Sequence, residues 1–243
     1  MIFDQAEFDI RCEWGEQGVI NLAPISDVLI VVDVLSFSTC VEIASNNGAI
    51  IFPYQWKDNS ALDYALSLNA ELVSNERKLT NGYSLSPSSL VNIPANTRLV
   101  LPSPNGATLT LAVQQQAQVL TGCLRNCEAV ANFAQKKGKR ISIIPAGERW
   151  NNGSLRIALE DMIGAGAILS HMQGTFSPEA KAAIAVFQST KDALLSNLKS
   201  CISGKELITR RFAKDVELSA AYNISKCVPL FANNAYTNII HIT

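Results

Sequence analysis

Histidine is the scarcest residue in this sequence, which contains only His171 and His241 among 243 residues. A histidine-based catalytic triad or an imidazole zinc site is therefore disfavoured. The six cysteines include no Cys-x-x-Cys pair, and residues 1–4 (Met-Ile-Phe-Asp) lack the basic and apolar regions of an export signal. We therefore expect reduced, structural thiols in a cytoplasmic protein.

Charge imbalance and long apolar runs are also missing. A net charge of −1 disfavours nucleic acid as the main partner, and no apolar run approaches the roughly 20 residues of a membrane span. Hydrophobic residues make up 48% of the chain, enough for a sizeable core without staples. The length fits one α/β domain over residues 1–243, or two closely packed lobes. A homo-oligomer remains open, whereas nucleic-acid and membrane partners are not expected.

The most distinctive stretch is the aliphatic run Val28-Leu29-Ile30-Val31-Val32, which predicts a strand buried on both faces. Strand and helix patterns then alternate. Strands are predicted at 7–14 (an edge strand), 49–53, 71–74, 98–101, 119–121, 141–144 and 237–242. Helices are predicted at 40–44, 58–68, 107–117, 126–136 and 154–172, followed by a helical remainder at 177–223. This order predicts a three-layer α/β/α fold with a mainly parallel sheet and a helical C-terminal part.

Polar residues follow the predicted strands, where parallel sheets place their ligand crevice. Hydroxyl, amide and glycine residues at these turns would donate hydrogen bonds to an oxyanion, and arginine would bind two of its oxygens. The candidate binding residues are Ser36, Ser38, Thr39, Ser103, Asn105, Gly106, Arg125, Asn126, Glu148 and Arg149. Ser38 and Thr39 are also the predicted N-caps of helix 40–44. Together the turns predict an anion site.

Carboxylates supply the second element of the candidate site. Asp33 ends the central strand, and the predicted helix 154–172 is apolar nearly all round, so that Glu160 and Asp161 are expected to be buried. Buried carboxylates cost several kcal/mol unless they are paired or bind metal. Glu160 has Arg156 four residues earlier as a helix partner, whereas Asp161 has none. Asp33 with Glu160 or Asp161 would form a Mg²⁺ site. Alternatively, Asp33 only caps the helix that follows it.

Several blocks of the sequence resemble the 2-phosphosulfolactate phosphatases, magnesium-dependent enzymes known from coenzyme M biosynthesis. The blocks lie in order along nearly the whole chain, at residues 33–39, 82–87, 103–108, 125–131 and 159–168. The resemblance implies a Mg²⁺-dependent phosphatase acting on a small anionic phosphorylated substrate. It also implies that Asp33, Glu160 and Asp161 form the catalytic and metal-binding group.

The chain departs from the family pattern at two turns. Typical members carry arginine and a small residue after Asp-Val-Leu, where this chain has Ser36 and Phe37. The family's Ala-Gly-Thr is here Ala-Gly followed by Glu148 and Arg149. Both departures resemble a bacterial branch with no evident coenzyme M pathway. We therefore expect a different phosphorylated small acid as substrate, with Arg125 or Arg149 binding its second anionic group.

The sequence leaves three functional interpretations open, and the first of them, a phosphatase, has two possible mechanisms. Asp33 would either bind a metal that activates water or attack phosphorus directly. Aspartyl-nucleophile phosphatases of the haloacid dehalogenase class carry a second acid two residues later, where this chain has Leu35, so metal-activated water is preferred. A non-catalytic metabolite-binding protein would keep the crevice without turnover. A hydrolase with Cys40, Ser36 or Ser103 as nucleophile is disfavoured by the shortage of histidine.

Overall fold

The computed structural model describes residues 3–56, 58–74, 77, 82–113 and 116–239, and every structural statement below concerns this part of the chain. Its strands are β1 (Ile10–Cys12), β2 (Val28–Val32), β3 (Ile50–Tyr54), β4 (Glu71–Leu72), β5 (Arg98–Pro102), β6 (Gln118–Thr121), β7 (Ile141–Pro145), β8 (Glu148–Arg149), β9 (Leu155–Arg156), β10 (Pro229–Ala232) and β11 (Ala235–Asn238).

Helices connect most of these strands and continue after the last crossover. They are α1 (Gly15–Leu22), α2 (Phe37–Asn46), α3 (Ser60–Ser67), α4 (Pro87–Leu90), α5 (Gly106–Ala112), α6 (Cys127–Lys137), α7 (Leu159–Leu169), α8 (Pro178–Thr190), α9 (Leu194–Ser200), α10 (Ile202–Thr209) and α11 (Ala213–Ser219). The helical remainder predicted from the sequence corresponds to α8 to α11. Within the described residues, no helix is both long enough and apolar enough to span a bilayer.

The main sheet contains nine strands in the order β1-β7-β2-β6-β10-β11-β3-β5-β4. Neighbours among β1, β7, β2 and β6 pair in parallel, as do neighbours among β3, β5 and β4. The hairpin β10–β11 joins these two parallel sets through antiparallel pairings. The predicted mainly parallel sheet flanked by helices is therefore confirmed, with an antiparallel insertion that the prediction lacked.

The central strand β2 is buried along its whole length, as its aliphatic run predicted. Its residues alternate between two hydrophobic clusters. Val28, Ile30 and Val32 pack in the cluster that contains buried residues of α6, α7 and α8. Leu29 and Val31 pack in the cluster formed with α1, α2 and α5. Each face of β2 packs against a separate helical layer. Asp33, which follows β2, therefore lies between the two layers.

The hairpin β10–β11 was predicted only as a last strand at 237–242, of which residues 240–242 lie outside the described part. Its turn residues Asn233 and Asn234 both have positive φ values, 51° and 63°. Two consecutive left-handed residues are typical of a tight hairpin, and asparagine tolerates this conformation. The Asn-Asn pair was thus the available sequence signal.

The predicted helix 154–172 is wrong at its start, because α7 begins only at Leu159. Residues 148–156 instead form the β8–β9 hairpin, whose turn uses Gly153 at a φ of +82°. Asn152 Oδ1 also accepts hydrogen bonds from the backbone and hydroxyl of Ser154, at 3.0 and 2.6 Å. Arg156 therefore precedes the helix, and the expected helical pair between Arg156 and Glu160 is wrong.

Two further boundaries differ from the predictions. The helix after Asp33 begins at Phe37 with Ser36 as its N-cap, so that the predicted caps Ser38 and Thr39 lie inside its first turn. Gly15, interpreted as a break after the edge strand, begins α1 with a φ of +58°. The glycine permits the left-handed conformation with which the chain leaves β1 and enters the helix.

Substitution Gly166→Ala should destabilise the fold, because α7 and α8 pack backbone against backbone at this point. An added Cβ would lie 2.0 Å from the carbonyl oxygen of Ala183. Overpacking of this kind costs about 1–3 kcal/mol, and urea denaturation would measure the change in the free energy of unfolding. The control is Lys181→Ala on the exposed face of α8, which should change that free energy by less than about 0.5 kcal/mol. Equal stabilities of the two variants would contradict the packing argument.

Candidate active site

Asp33 follows the last residue of β2 and lies between the starts of two helices. Its Oδ1 accepts a hydrogen bond from the backbone N–H of Phe37 at 3.2 Å, and its Oδ2 accepts one from Gly106 at 3.0 Å. Gly106 has to approach closely, since a Cβ there would lie 2.3 Å from the ring of Phe37. Asp33 therefore does cap helices, as one interpretation of the sequence proposed. Each carboxylate oxygen still keeps an acceptor position for a ligand.

Burial raises the pKa of Asp33 to about 6. The two backbone N–H donors oppose this shift, as does the guanidinium of Arg77, whereas the nearby Glu160 adds to it. The carboxylate is thus stabilised by helix N-termini but lies in a region of low polarity that contains other acids. A cationic ligand would favour its ionised form.

Asp33 opens on a cavity of about 190 Å³. The structure brings five of the predicted site residues together on its wall, namely Asp33, Ser36, Ser103, Asn105 and Glu148. The remaining polar lining residues are Arg77, Ser203, Glu206 and Arg210, and the apolar ones are Leu35, Leu85, Pro104 and Leu207. The cavity therefore combines carboxylates, hydroxyls and guanidinium groups around a small volume, as recognition of a small anion requires.

Glu148 begins β8 and is held on the cavity wall by Asn105, whose Nδ2 donates to Glu148 Oε2 at 3.0 Å. Burial is the main reason that the pKa of Glu148 rises to about 7, and the negative charges of Asp33 and Glu160 raise it further. The hydrogen bond from Asn105 partly opposes the shift. Glu148 is thus poised to exchange a proton near neutral pH.

Asp161 holds the ends of two strands together. Its Oδ1 accepts a hydrogen bond from the backbone N–H of Val34 at 2.7 Å, and its Oδ2 accepts one from Gly147 at 2.9 Å. Burial, followed by the charges of Asp33 and Glu160, raises the pKa of Asp161 well above its usual range. The sequence suggested no local partner for this residue, yet both of its oxygens have long-range backbone donors.

Among the acids of the candidate site, Glu160 has the least complete set of hydrogen bonds. Its side chain is buried, and its Oε2 has no hydrogen-bond partner among the described residues. Cys201 lies beside it, and burial together with the charge of Glu160 raises the pKa of that thiol to about 12. An unpaired buried carboxylate oxygen costs free energy and needs an explanation. A bound cation would supply one.

Four predicted binding residues have internal hydrogen bonds instead of lining the cavity. Ser38 Oγ bonds to Thr121 Oγ1 at 2.7 Å, and Thr39 Oγ1 donates to the carbonyl of Val34 at 2.8 Å. The other two are Arg125 and Asn126, which directly precede α6.

Arg125 and Asn126 join elements far apart in sequence. Arg125 forms an ion pair with the fully buried Glu42 and donates to the carbonyl of Leu218 at 3.1 Å. Asn126 accepts from the backbone N–H of Cys123 at 2.9 Å and donates to the carbonyl of Cys227 at 3.0 Å. These contacts stabilise the turn after β6 against the C-terminal region.

Arg149, the other expected anion-binding residue, lies on the wall of a neighbouring cavity of about 170 Å³. Pro104, Asn105 and Glu148 form the wall shared by both cavities. Arg149 forms an ion pair with Glu16 and donates to the carbonyl of Gly153 at 3.2 Å. Its side chain is 48% exposed, so solvent weakens its electrostatic influence. The structure does not bring Arg149 to the cavity of Asp33.

Sequence reasoning missed the wall contributed by Arg77 and by helix α10. Arg77 belongs to the long polar segment 75–89, whose length alone indicated a functional loop. Ser203, Glu206 and Arg210 lie in or directly after α10, which the sequence showed only as part of a helical remainder. Only tertiary packing brings that helix over the ends of the strands.

A nucleophilic cysteine is disfavoured by the surroundings of Cys40. This residue is fully buried in α2, and burial raises the pKa of its thiol well above the usual range. Of the two histidines, His171 bonds through Nε2 to the hydroxyl of Tyr222 at 3.1 Å, and His241 lies outside the described residues. All six cysteines are free and buried.

Comparison with known proteins identifies the family. The family model described as 2-phosphosulpholactate phosphatase matches residues 18–234. The chain belongs to this family. The match includes all the blocks on which the sequence resemblance rested, so that resemblance is confirmed.

Individual relatives are similar over most of their length. A 2-phosphosulfolactate phosphatase from Methanothermobacter thermautotrophicus is 28% identical over 212 residues, covering 85% of this chain and 87% of the relative. Proteins named "Probable 2-phosphosulfolactate phosphatase" from Thermotoga petrophila and Gloeobacter violaceus are 28% and 26% identical, and they cover 89% and 84% of this chain. The alignments include 96% and 87% of those two relatives.

The raised pKa of Glu148 predicts a specific dependence of stability on pH in the presence of a chelator. The folded state retains the Glu148 proton up to about pH 7, whereas the unfolded chain loses it near 4.5. The contribution of Glu148 to stability is therefore highest below this window and is lost as pH rises through it. Glu148→Gln stays uncharged, so its Tm relative to wild type should rise by about 5–10 °C between pH 5 and pH 8.

The control for this measurement is Glu71→Gln, at an exposed position of the edge strand β4. Its Tm difference from wild type should stay constant over the same range. A constant difference for Glu148→Gln as well would show that burial does not shift the titration of this residue.

Proposed function

We propose that this protein is a magnesium-dependent phosphatase that hydrolyses a small acidic phosphoester. The observation that carries the proposal is the cavity in which Asp33 and Glu148 lie together with hydroxyl, amide and guanidinium donors. A metal-dependent phosphatase needs carboxylates for the cation and donors for the phosphoryl oxygens. The names of the relatives in the family support the same reaction type, with 2-phospho-3-sulfolactate as the reference substrate.

The donors on the cavity wall would hold the phosphoryl group. Ser36 and Ser103 offer hydroxyl groups, and Asn105 offers an amide that is already fixed by Glu148. Such donors arranged before the reaction stabilise negative charge that develops in the transition state. We assign these three residues to the phosphoryl oxygens.

The acids fit a Mg²⁺ ion, although no three His, Cys, Asp or Glu residues in the described segments are grouped as a ready-made metal site. Mg²⁺ typically uses only one or two carboxylates and completes its shell with water and phosphate oxygens. Asp33 has an acceptor position left on each oxygen, and Glu160 has an oxygen with no partner. We assign Asp33 and Glu160 as the ligands. When bound, Mg²⁺ would neutralise phosphoryl charge and lower the pKa of a water molecule.

Within this proposal, Asp161 is a positioning residue and Glu148 transfers a proton. Asp161 fixes the residue after Asp33 through its bond to Val34 N–H, so it acts on the ligand through the backbone. Glu148, with a pKa of about 7, would take the proton of the attacking water. Leu35, which lines the cavity, stands where a covalent mechanism would require a second acid. We therefore keep water as the proposed nucleophile.

We also place the protein in the cytoplasm. The six cysteines are free and buried in the structure, and a reducing compartment keeps thiols in this state. The cysteines do not enter the proposed reaction.

The deciding experiment measures phosphate release from a panel of phosphorylated carboxylates and sulfonates, including 2-phosphosulfolactate. We expect turnover with Mg²⁺, its loss in excess chelator and its return with added Mg²⁺. Asp33→Asn should reduce kcat by about 100-fold or more while the protein remains folded. The control is Asp63→Asn on the exposed face of α3, which should keep wild-type activity.

Full activity in excess chelator would contradict the metal. Tight binding of panel members without phosphate release would instead favour the non-catalytic metabolite-binding protein. Unfolding of Asp33→Asn, measured by circular dichroism, would show that the bonds to Phe37 and Gly106 are mainly structural.

Replacing Glu160 and Asp161 by the corresponding amides should have different effects, one on Mg²⁺ affinity and the other on stability. Glu160→Gln should weaken Mg²⁺ binding, measured by isothermal titration calorimetry, because it neutralises the acid with the unpaired oxygen. Asp161→Asn should mainly lower the free energy of unfolding, by about 1–3 kcal/mol, since an amide oxygen replaces only one of two backbone acceptors. Normal Mg²⁺ affinity in Glu160→Gln combined with lost affinity in a stable Asp161→Asn would reverse the assignment.

A further inference from the structure

We infer that Arg77 determines specificity by binding a second anionic group of the substrate, and that Asp215 positions it. This inference rests on the proposed phosphatase function and adds the residues that would recognise the second anionic group of the small acidic phosphoester.

The guanidinium of Arg77 is fixed on the cavity wall by three contacts. Its Nη1 donates to Asp215 Oδ2 at 2.7 Å, and its Nη2 donates to Ser36 Oγ at 2.8 Å. Its Cζ lies 5.8 Å from the centre of the Phe212 ring. Arginine has five N–H donors, so these two hydrogen bonds leave donors for a ligand. The side chain is only 10% exposed, which means that its charge is little screened by water.

Asp215 holds Arg77 in position through their ion pair. It lies in the first turn of α11, is fully buried, and accepts hydrogen bonds from Ser86 Oγ at 2.6 and 2.8 Å and from Ser88 N–H at 3.0 Å. One carboxylate thus holds both the start of α4 and the cavity arginine. Because Arg77 is held before a ligand arrives, it loses little conformational freedom on binding.

The charges in the cavity are separated in a way that fits a ligand with two anionic groups. Asp33 and Glu148 form the acidic part, and Arg77 supplies a guanidinium group. The other two charged lining residues, Arg210 and Glu206, form an ion pair with each other at 3.1 Å. Ser36 connects the two parts, since it lines the cavity near Asp33 and accepts the bond from Arg77. A phosphoryl group at the acidic part would therefore bring a neighbouring carboxylate or sulfonate to Arg77.

Arg77 is better placed for this role than Arg149, which the sequence suggested. Arg149 lies outside the Asp33 cavity and is about half exposed, at 48%. A buried guanidinium binds an oxyanion more strongly and more selectively than one shared with solvent. The second anion should consequently depend on Arg77 and be insensitive to the charge of Arg149.

The test compares 2-phospholactate with propane-1,2-diol 2-phosphate, in which a hydroxymethyl group replaces the carboxylate. The variant is Arg77→Met/Asp215→Asn, which removes both charges and so leaves no buried unpaired ion. Loss of a charge-assisted contact should raise the KM for 2-phospholactate about 10- to 100-fold, with a much smaller change in kcat. The KM for the diol phosphate should stay within about twofold of wild type, and Arg77→Lys should partly restore the preference for 2-phospholactate.

The control is Arg98→Met. Arg98 is also a partly buried arginine against an aromatic ring, 4.8 Å from the centre of Phe52, but it does not line the Asp33 cavity. It should leave both KM values unchanged. Equal increases for both substrates in the double variant, or no increase, would overturn the role of Arg77.

Calorimetric binding of 2-phospholactate in excess chelator separates this inference from the proposed function. Wild type should bind it at least 10-fold more tightly than the double variant even when no turnover occurs. Binding of this kind without phosphate release under any condition would refute the phosphatase but support Arg77. Turnover combined with equal binding by both proteins would support the phosphatase but refute the role of Arg77.

Discussion

Asp33 receives one backbone N–H from the first turn of α2 and another from the first turn of α5. The two helices follow different strands, β2 and β5, which belong to the two parallel sets of the sheet. Their N-termini provide the positive ends of two helix dipoles at one carboxylate. The site therefore depends on the meeting of these two strand ends, and Gly106 makes the meeting possible because it leaves room for the Phe37 ring.

The same meeting point brings several carboxyl groups together in a buried part of the described structure. Asp33, Glu148 and Asp161 all have raised pKa values, for which burial is the largest cause in each case. Both oxygens of Asp161 accept hydrogen bonds from backbone N–H groups. Glu160, in contrast, has an oxygen with no hydrogen-bond partner among the described residues. Like charges held together in a buried place are costly, and such places are typically functional. The cost is understandable if the folded state is adapted to a bound cation.

The sequence was sufficient to predict the layers of the fold, because aliphatic runs such as 28–32 and the alternation of strands with helices depend on local periodicity. It also placed Asp33 and Glu148 at strand ends, and both line the cavity. It placed a turn at residues 145–153 but misplaced the start of α7, since the apolar pattern of that helix continues into β9 and conceals this short strand. Periodicity identifies which residues are buried more reliably than it identifies where a helix begins.

Hydrogen-bond and ion-pair partners from distant elements could not be predicted from the spacing of residues in the sequence. Asp161 looked unpaired because its donors, Val34 and Gly147, are backbone groups of other elements. Arg125 was interpreted as an anion-binding residue because it follows a predicted strand. In the structure it forms an ion pair with the buried Glu42.

Arg77 shows the converse situation. No periodic pattern surrounds it, and its position depends on Asp215, which is 138 residues away in the sequence. A cation that must remain in place in a small cavity needs a buried counter-charge, and a counter-charge from a distant helix fixes its direction as well as its charge. The serine at position 36, where the family resemblance led us to expect arginine, therefore does not imply that the cavity lacks a cation. Ser36 retains a role as the acceptor that holds Arg77 beside Asp33.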